Sequence, residues 1–186
     1  MKLFLRILTI WLPLAIVTTA FCGLVYTAVQ QNYRQGANDP QIQMAEDTAG
    51  ILSQGQSVTL PQKIDMAKSL APFVMLFDEN GKLQNSSGVM RDTTPLPPAG
   101  VFSFTRQNGE ERFTWQPSVD VRNATVLIHY SGKSSGFVLA GRNMREVENR
   151  EQILMLYVAA TWLATIISTL VVVIALVVLK KAVYKK

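Results

Sequence analysis

The chain has 186 residues, 48% of them hydrophobic and 17% charged, with a formal net charge of +5, one cysteine and one histidine. As averages these figures suit a small basic domain of the kind that binds nucleic acid, but the placement of the charges excludes that reading. All 13 acids fall between residues 30 and 152 beside 12 bases, a net charge of −1, and the other six bases (Lys2, Arg6, Lys180, Lys181, Lys185, Lys186) stand at the two chain ends. Cys22 alone permits no intramolecular disulfide, CxxC pair or four-cysteine zinc site, and His129 alone no multi-histidine cage or histidine-based triad. The expectation is therefore no nucleic-acid partner, no metal, no cofactor and no catalytic residue; the chain is read as not an enzyme.

In chain order, a basic tail (1–6) precedes 23 uncharged residues from Ile7 to Val29, and 27 uncharged residues from Ile153 to Leu179 precede a second basic tail (180–186). A helix needs about 20 predominantly apolar residues to cross the hydrocarbon core, so both runs qualify as membrane spans. Pro13 is tolerated in such a span as a kink. Trp11, Tyr26, Tyr157 and Tyr184 fall toward the ends of the runs, where amphipathic rings prefer the interface, while Trp162 lies deeper as a packing residue. A cleaved signal peptide is the alternative for the first run, but its apolar stretch is long for one and its small-x-small site, Thr18-x-Ala20, falls in the middle. Basic residues mark the cytoplasmic side, so both termini are expected there and residues 30–152 outside, in contact with the lipid bilayer only through the two spans.

Within that outer segment, Asn38-Asp39-Pro40 signals a helix start, with apolar residues at helical spacing until Gly55. A second short helix is expected over Lys63–Leu70. Phe73–Phe77, the turn Asp78-Glu79-Asn80-Gly81 and Lys82–Ser86 read as a β-hairpin. Residues 91–100, with three prolines, read as a loop, and Phe102–Gln107 is ambiguous between helix and strand. Strands follow over Arg112–Gln116, Val121–Tyr130 and Phe137–Ala140. From Asn143 a charged helical pattern runs without Gly or Pro into the second apolar run. The expected class is α+β: two transmembrane helices flanking an extracytoplasmic domain with a mainly antiparallel, about five-stranded sheet and helices on one face.

This order, and the segments FVMLFDENGKLQNSSG (Phe73–Gly88), FTWQP (Phe113–Pro117) and GFVLAGRNMREVENREQ (Gly136–Gln152), resemble the extracytoplasmic sensor half of bacterial two-component sensor histidine kinases, whose outer module is a PAS-like, single Cache-type domain. The resemblance implies that the sheet lines a pocket for a small-molecule ligand, with Trp115 and Tyr130 as apolar walls and Arg112, Arg122 or His129 binding a carboxylate. The competing interpretation is that the aromatics pack the core and the charged residues are solvated. Only seven residues, Lys180–Lys186, follow the second run, so the HAMP linker and kinase domains of that family are not expected in this chain. It would act through a separate cytoplasmic or membrane signalling partner, or be the input half of a split or truncated receptor.

Asp78-Glu79-Asn80-Gly81 lacks the further oxygen ligands of a calcium loop and reads as a plain turn. Glu46-Asp47 and Glu110-Glu111 are adjacent, so their side chains do not share a face and form no acid/base pair. Met144, Val147 and Glu151 at helical spacing could form the seam of a homodimer stalk. Two functions follow: a membrane-anchored extracytoplasmic sensor, or a non-catalytic structural or docking subunit of a membrane complex.

Overall fold

The computed structural model describes residues 2–36 and 38–183; Met1, Ala37, Tyr184, Lys185 and Lys186 and the side chains of Lys2 and Val183 lie outside the described residues. The chain divides into two compact units, residues 34–149 and the two end segments, 1–33 with 150–186. Its elements are helix α1 (Lys2–Gly36), helix α2 (Asp39–Ser53), strands β1 (Ile64–Asp65), β2 (Phe73–Phe77), β3 (Leu83–Ser86) and β4 (Gly88–Val89), helix α3 (Gly100–Asn108), strands β5 (Glu110–Ser118), β6 (Val121–Tyr130) and β7 (Gly136–Asn143), and helix α4 (Arg145–Val183).

In the central unit, β2, β3, β5, β6 and β7 form a five-stranded sheet in the order β3-β2-β7-β6-β5, every pairing antiparallel, and β1 pairs with β4 in a separate two-residue parallel ladder. Successive strand side chains point to opposite faces. Here both faces are buried. Phe73, Met75, Phe77, Leu127, Phe137, Leu139 and Trp115 point to one, where Phe102 of α3 and Met66 close over them. Phe102 lies edge-on to Phe77 and Phe137, with ring centroids 5.0 and 5.2 Å away. Val74, Val126, Val138 and Ala140 point to the other face, against Ala45 and Ala49 of α2. The small residues on both sides let α2 approach the sheet closely. Its C-terminal end meets the β6–β7 turn, where Lys133 N–H donates to the Ser53 carbonyl at 2.8 Å. A Cβ on Gly132 would lie 2.4 Å from that carbonyl oxygen, so the close approach requires glycine.

The β7–α4 junction is held by Asn143, which is 6% exposed. Its amide nitrogen donates to the Met66 carbonyl at 2.8 Å, and its Oδ1 accepts the Arg145 N–H at 2.8 Å, the bond an N-cap residue makes. Around it, Met144 N–H donates to the Arg122 carbonyl at 2.8 Å, and Arg142 Nε and Arg145 donate to the Leu70 and Lys68 carbonyls at 2.7 and 3.1 Å. In the unit of end segments, α1 and α4 pack together: Trp11 Nε1 donates to the Ile166 carbonyl at 3.3 Å, and Trp162 Nε1 to Thr19 Oγ1 at 2.9 Å. The two long helices are long and apolar enough to cross a membrane.

The expected fold class, two membrane spans flanking a PAS/Cache-like domain with helices on one face of its sheet, requires correction. The long helices lie at the ends of the chain, and helical structure does not stop at Val29 with the apolar run but continues to Gly36 and, as α2, to Ser53. Gln30 to Gln35 contains no glycine or proline, and nothing in it opposes continued helix. The sheet carries α2 on one face and α3 on the other rather than helices on one face. The helix expected over Lys63–Leu70 is also replaced: Ile64 N–H donates to the Ser87 carbonyl, forming β1, and Asp65 Oδ1 accepts the Ala67 N–H in a local turn that competes with helix. The ambiguous stretch near Phe102 is α3. β5 passes through Pro117 because it is an edge strand whose register shifts between Trp115 and Ser118, where a missing N–H is tolerated.

Asn143 acts as donor and acceptor at once, which separates it from an ordinary cap. Asn143→Ala is expected to destabilise the full chain by about 2 kcal/mol. Asn143→Asp keeps the cap acceptor but sets a carboxylate against a carbonyl, so it should destabilise at least as much, read as the denaturation midpoint in detergent. An aspartate variant as stable as the native chain would reduce Asn143 to a cap.

Candidate functional site

The sheet register distributes the five sequence-derived ligand candidates over both faces. Trp115 is 5% exposed and belongs to the core beneath α3. His129 points to that same face at the other end of the sheet, with its ring centroid 4.9 Å from that of Phe137. Arg112 and Arg122 point to the α2 face. Tyr130 shares the face of Arg122 but stands eight residues further along β6, about 27 Å at strand rise. There it packs against the α2-side core. Burial pushes the Tyr130 hydroxyl up from its ordinary value, against the lowering effect of its hydrogen bond with Ser134. The five residues therefore do not line one pocket. Arg112 and Arg122 do come together.

These two arginines border an open cavity of about 170 Å³, with Arg34 from the last turn of α1, Asn38 just before α2, Thr114 of β5 and Met144 at the root of α4. Among the described residues, no carboxylate lines it. Acids hold the arginines from outside the wall: Glu110 accepts from Arg112 Nε, and Glu148 accepts from Arg122 at 2.8 Å. The Glu110 hydrogen bond raises Arg112 above its already high ordinary value. Each guanidinium carries five N–H donors, so these single bonds leave most of them available. Thr114 Oγ1 has only the Met144 sulfur as acceptor, at 3.9 Å.

A second polar cluster was hidden in the hairpin turn. Glu79 accepts from His129 Nε2, which lies 3.1 and 3.2 Å from its two carboxylate oxygens, and from Arg106 Nε at 3.4 Å. Arg106 also donates to the Glu79 carbonyl, and its guanidinium stands 5.2 Å from the Phe137 ring centroid. The cluster thus ties the β2–β3 turn to α3 and β6. Burial is the largest single influence on the Glu79 carboxyl and raises it, but the hydrogen bonds and charges of His129 and Arg106 together outweigh burial and hold it below its ordinary value. Nothing in the sequence separates Glu79 from an ordinary turn residue, because its partners lie 27 and 50 positions away. Among the described residues, no three His, Cys, Asp or Glu side chains gather as a metal site would require.

No protein-family model matches the chain, and neither a curated protein nor a solved structure matches it.

The depressed Glu79 carboxyl fixes the sign of a pH effect. Its contribution is present above the unfolded carboxyl value, about 4.3, and is lost as pH falls through the lower folded value. Thermal melts should show native chain more stable than Glu79→Gln at pH 6, with the gap closing as the pH drops below that range. A gap that stays constant to low pH would contradict the ionised pairing.

Proposed function

We propose that this chain is a membrane-anchored signal-input protein, whose central unit faces outward, takes a small ligand and passes its state to a separate cytoplasmic or membrane partner. The observation that supports the reading most is α4, which runs without interruption from Arg145, beside the last sheet strand, through the whole apolar segment to Val183. Asn143 fixes its first turn to β7 and to the Met66 carbonyl, so a shift in the sheet reaches the helix through hydrogen bonds rather than through a slack linker. Orientation is part of the proposal. Lys2 and Arg6 at one end and Lys180 and Lys181 at the other follow the positive-inside rule if both termini are cytoplasmic. The central segment, with balanced charge, is then extracytoplasmic. Catalysis has no part in this reading.

Val119, 80% exposed in the β5–β6 turn, offers a probe of the orientation. In a Cys22→Ser background, Val119→Cys should react with a membrane-impermeant maleimide on intact cells, and Arg6→Cys only after lysis. The reverse pattern would overturn the outward placement of the domain.

A further inference from the structure

The turn that follows β1 is bonded in two directions. Its N–H groups are satisfied within itself: those of Ala67, Lys68 and Ser69 donate to Asp65, and that of Ala71 donates to Ser69 Oγ. Its carbonyls face the β7–α4 junction instead. Met66 and Ala67 accept from Asn143 Nδ2 at 2.8 and 3.4 Å, Lys68 from Arg145 at 3.1 Å and Leu70 from Arg142 at 2.7 Å. Three side chains from four consecutive positions thus hold a turn that keeps its own donors bonded when it leaves. Between residues 66 and 71 only Met66 is buried, and upstream the turn is tied to the domain by the two-residue β1–β4 ladder.

Directly across the strand pair from Asn143 stands Asn123. It is 0% exposed, and neither its Oδ1 nor its Nδ2 has a hydrogen-bond partner. Met144 N–H donates to the Arg122 carbonyl, so the next pair along, Asn123 with Asn143, is of the non-hydrogen-bonded kind. In such pairs the Cα atoms lie about 4.5 Å apart and the side chains are at their closest. Two buried carboxamides therefore share one face of the sheet within reach of each other, yet one is fully engaged and the other idle. A latch alone explains Asn143 but leaves Asn123 as a buried polar group that costs stability for no return.

We infer that residues 66–71 form a releasable strap with two settings, and that Asn123 is the partner Asn143 takes when the strap lets go. In the latched setting Asn143 Nδ2 donates to the Met66 carbonyl. In the released setting the same amide donates to Asn123 Oδ1, while Asn143 Oδ1 keeps the Arg145 N–H and the start of α4 stays capped. Release forfeits the burial of Met66 and the carbonyl bonds of the strap, and the new amide pair offsets only part of that loss, so the latched setting predominates. The idle amide of Asn123 narrows the gap between the two settings by raising the latched one. Release also frees the side chains of Arg142 and Arg145 at the root of α4, which is how the strap would bear on the function proposed above. The inference rests on that reading only for this consequence in signalling.

The test measures thiol labelling of the full chain in nanodiscs, in a Cys22→Ser background. Met66→Cys places a buried thiol under the strap and leaves its main-chain latch intact, and Leu139→Cys, in a second chain, places one in the fully buried middle strand. The thiol at position 66 should label about tenfold or more faster than the one at 139, because strap release is a smaller opening than unfolding of the sheet. Adding Asn123→Leu, close in volume but without an amide, removes the partner of the released setting and should slow labelling at 66 about tenfold, with no comparable change at 139. Arg145→Gln removes one latch and should speed labelling at 66 a few-fold, which keeps the inference testable if Asn123→Leu fails to fold. Equal rates at 66 and 139 would overturn the inference. So would Asn123→Leu that leaves position 66 unchanged or accelerates it, the result expected if Asn123 serves only to hold an ordered water, and so would Arg145→Gln without effect at 66. Labelling as expected, but with the same distance between spin labels on α1 and α4 in the Asn123→Leu and Arg145→Gln chains, would instead overturn the signalling reading and leave the strap standing.

Discussion

The buried amide of Asn143 is the contact on which the arrangement depends. β7 is the middle strand of the sheet, with β2 on one side and β6 on the other, and residues 136–141 are buried throughout. The chain leaves this most enclosed strand and enters the longest helix within two residues. Such a transition exposes the first N–H groups of the helix and the carbonyls of the loop beneath it, all of which need partners. One asparagine satisfies both, donating to Met66 and accepting from Arg145. Serine or aspartate could cap the helix but could not also supply the amide donor.

Around that point the sheet is organised by parity. Odd-numbered positions of β2, β6 and β7 meet α3 and its phenylalanine cluster, and even-numbered positions meet the alanine face of α2. The same parity places Arg112 and Arg122 together, because β5 and β6 pair with Arg112 opposite Val126 and Thr114 opposite Ala124. A shift of one residue in that register would send Arg112 toward the α3 core and dismantle the cavity. The site is thus a consequence of strand pairing rather than of any local motif.

How much of this could be read in advance follows the same physics. The two apolar runs, the hairpin around Asn80-Gly81 and the long β-rich stretch to Tyr130 are local patterns, visible in composition and period. The continuation of α1 to Gly36 is not visible in the hydropathy pattern, because hydrophobicity ends at Val29 while helix propensity does not. The Lys63–Leu70 segment has the local pattern of a helix, but its fate is decided by Ser87 and Val89, whose carbonyls accept the Ile64 and Met66 N–H groups. Arg112 and Arg122 enter as ligand candidates only through the resemblance, and the company they keep is not legible in sequence. Arg34 lies some 80 positions from Arg112 and looks, in sequence, like a charge at the end of a membrane span. Glu79 was invisible for a related reason: its role is set by His129 and Arg106, which only the folded sheet brings to it.

Mechanical continuity between β7 and α4 is tested most directly by native-state hydrogen exchange of the full chain in nanodiscs. If Asn143 locks the junction, the amides of Arg145 and Glu148 should exchange with the slow protection of the Gly136–Asn143 strand, opening together with it as one cooperative unit. Fast, independent exchange of the first turns of α4 beside a protected β7 would show a slack joint and contradict the account.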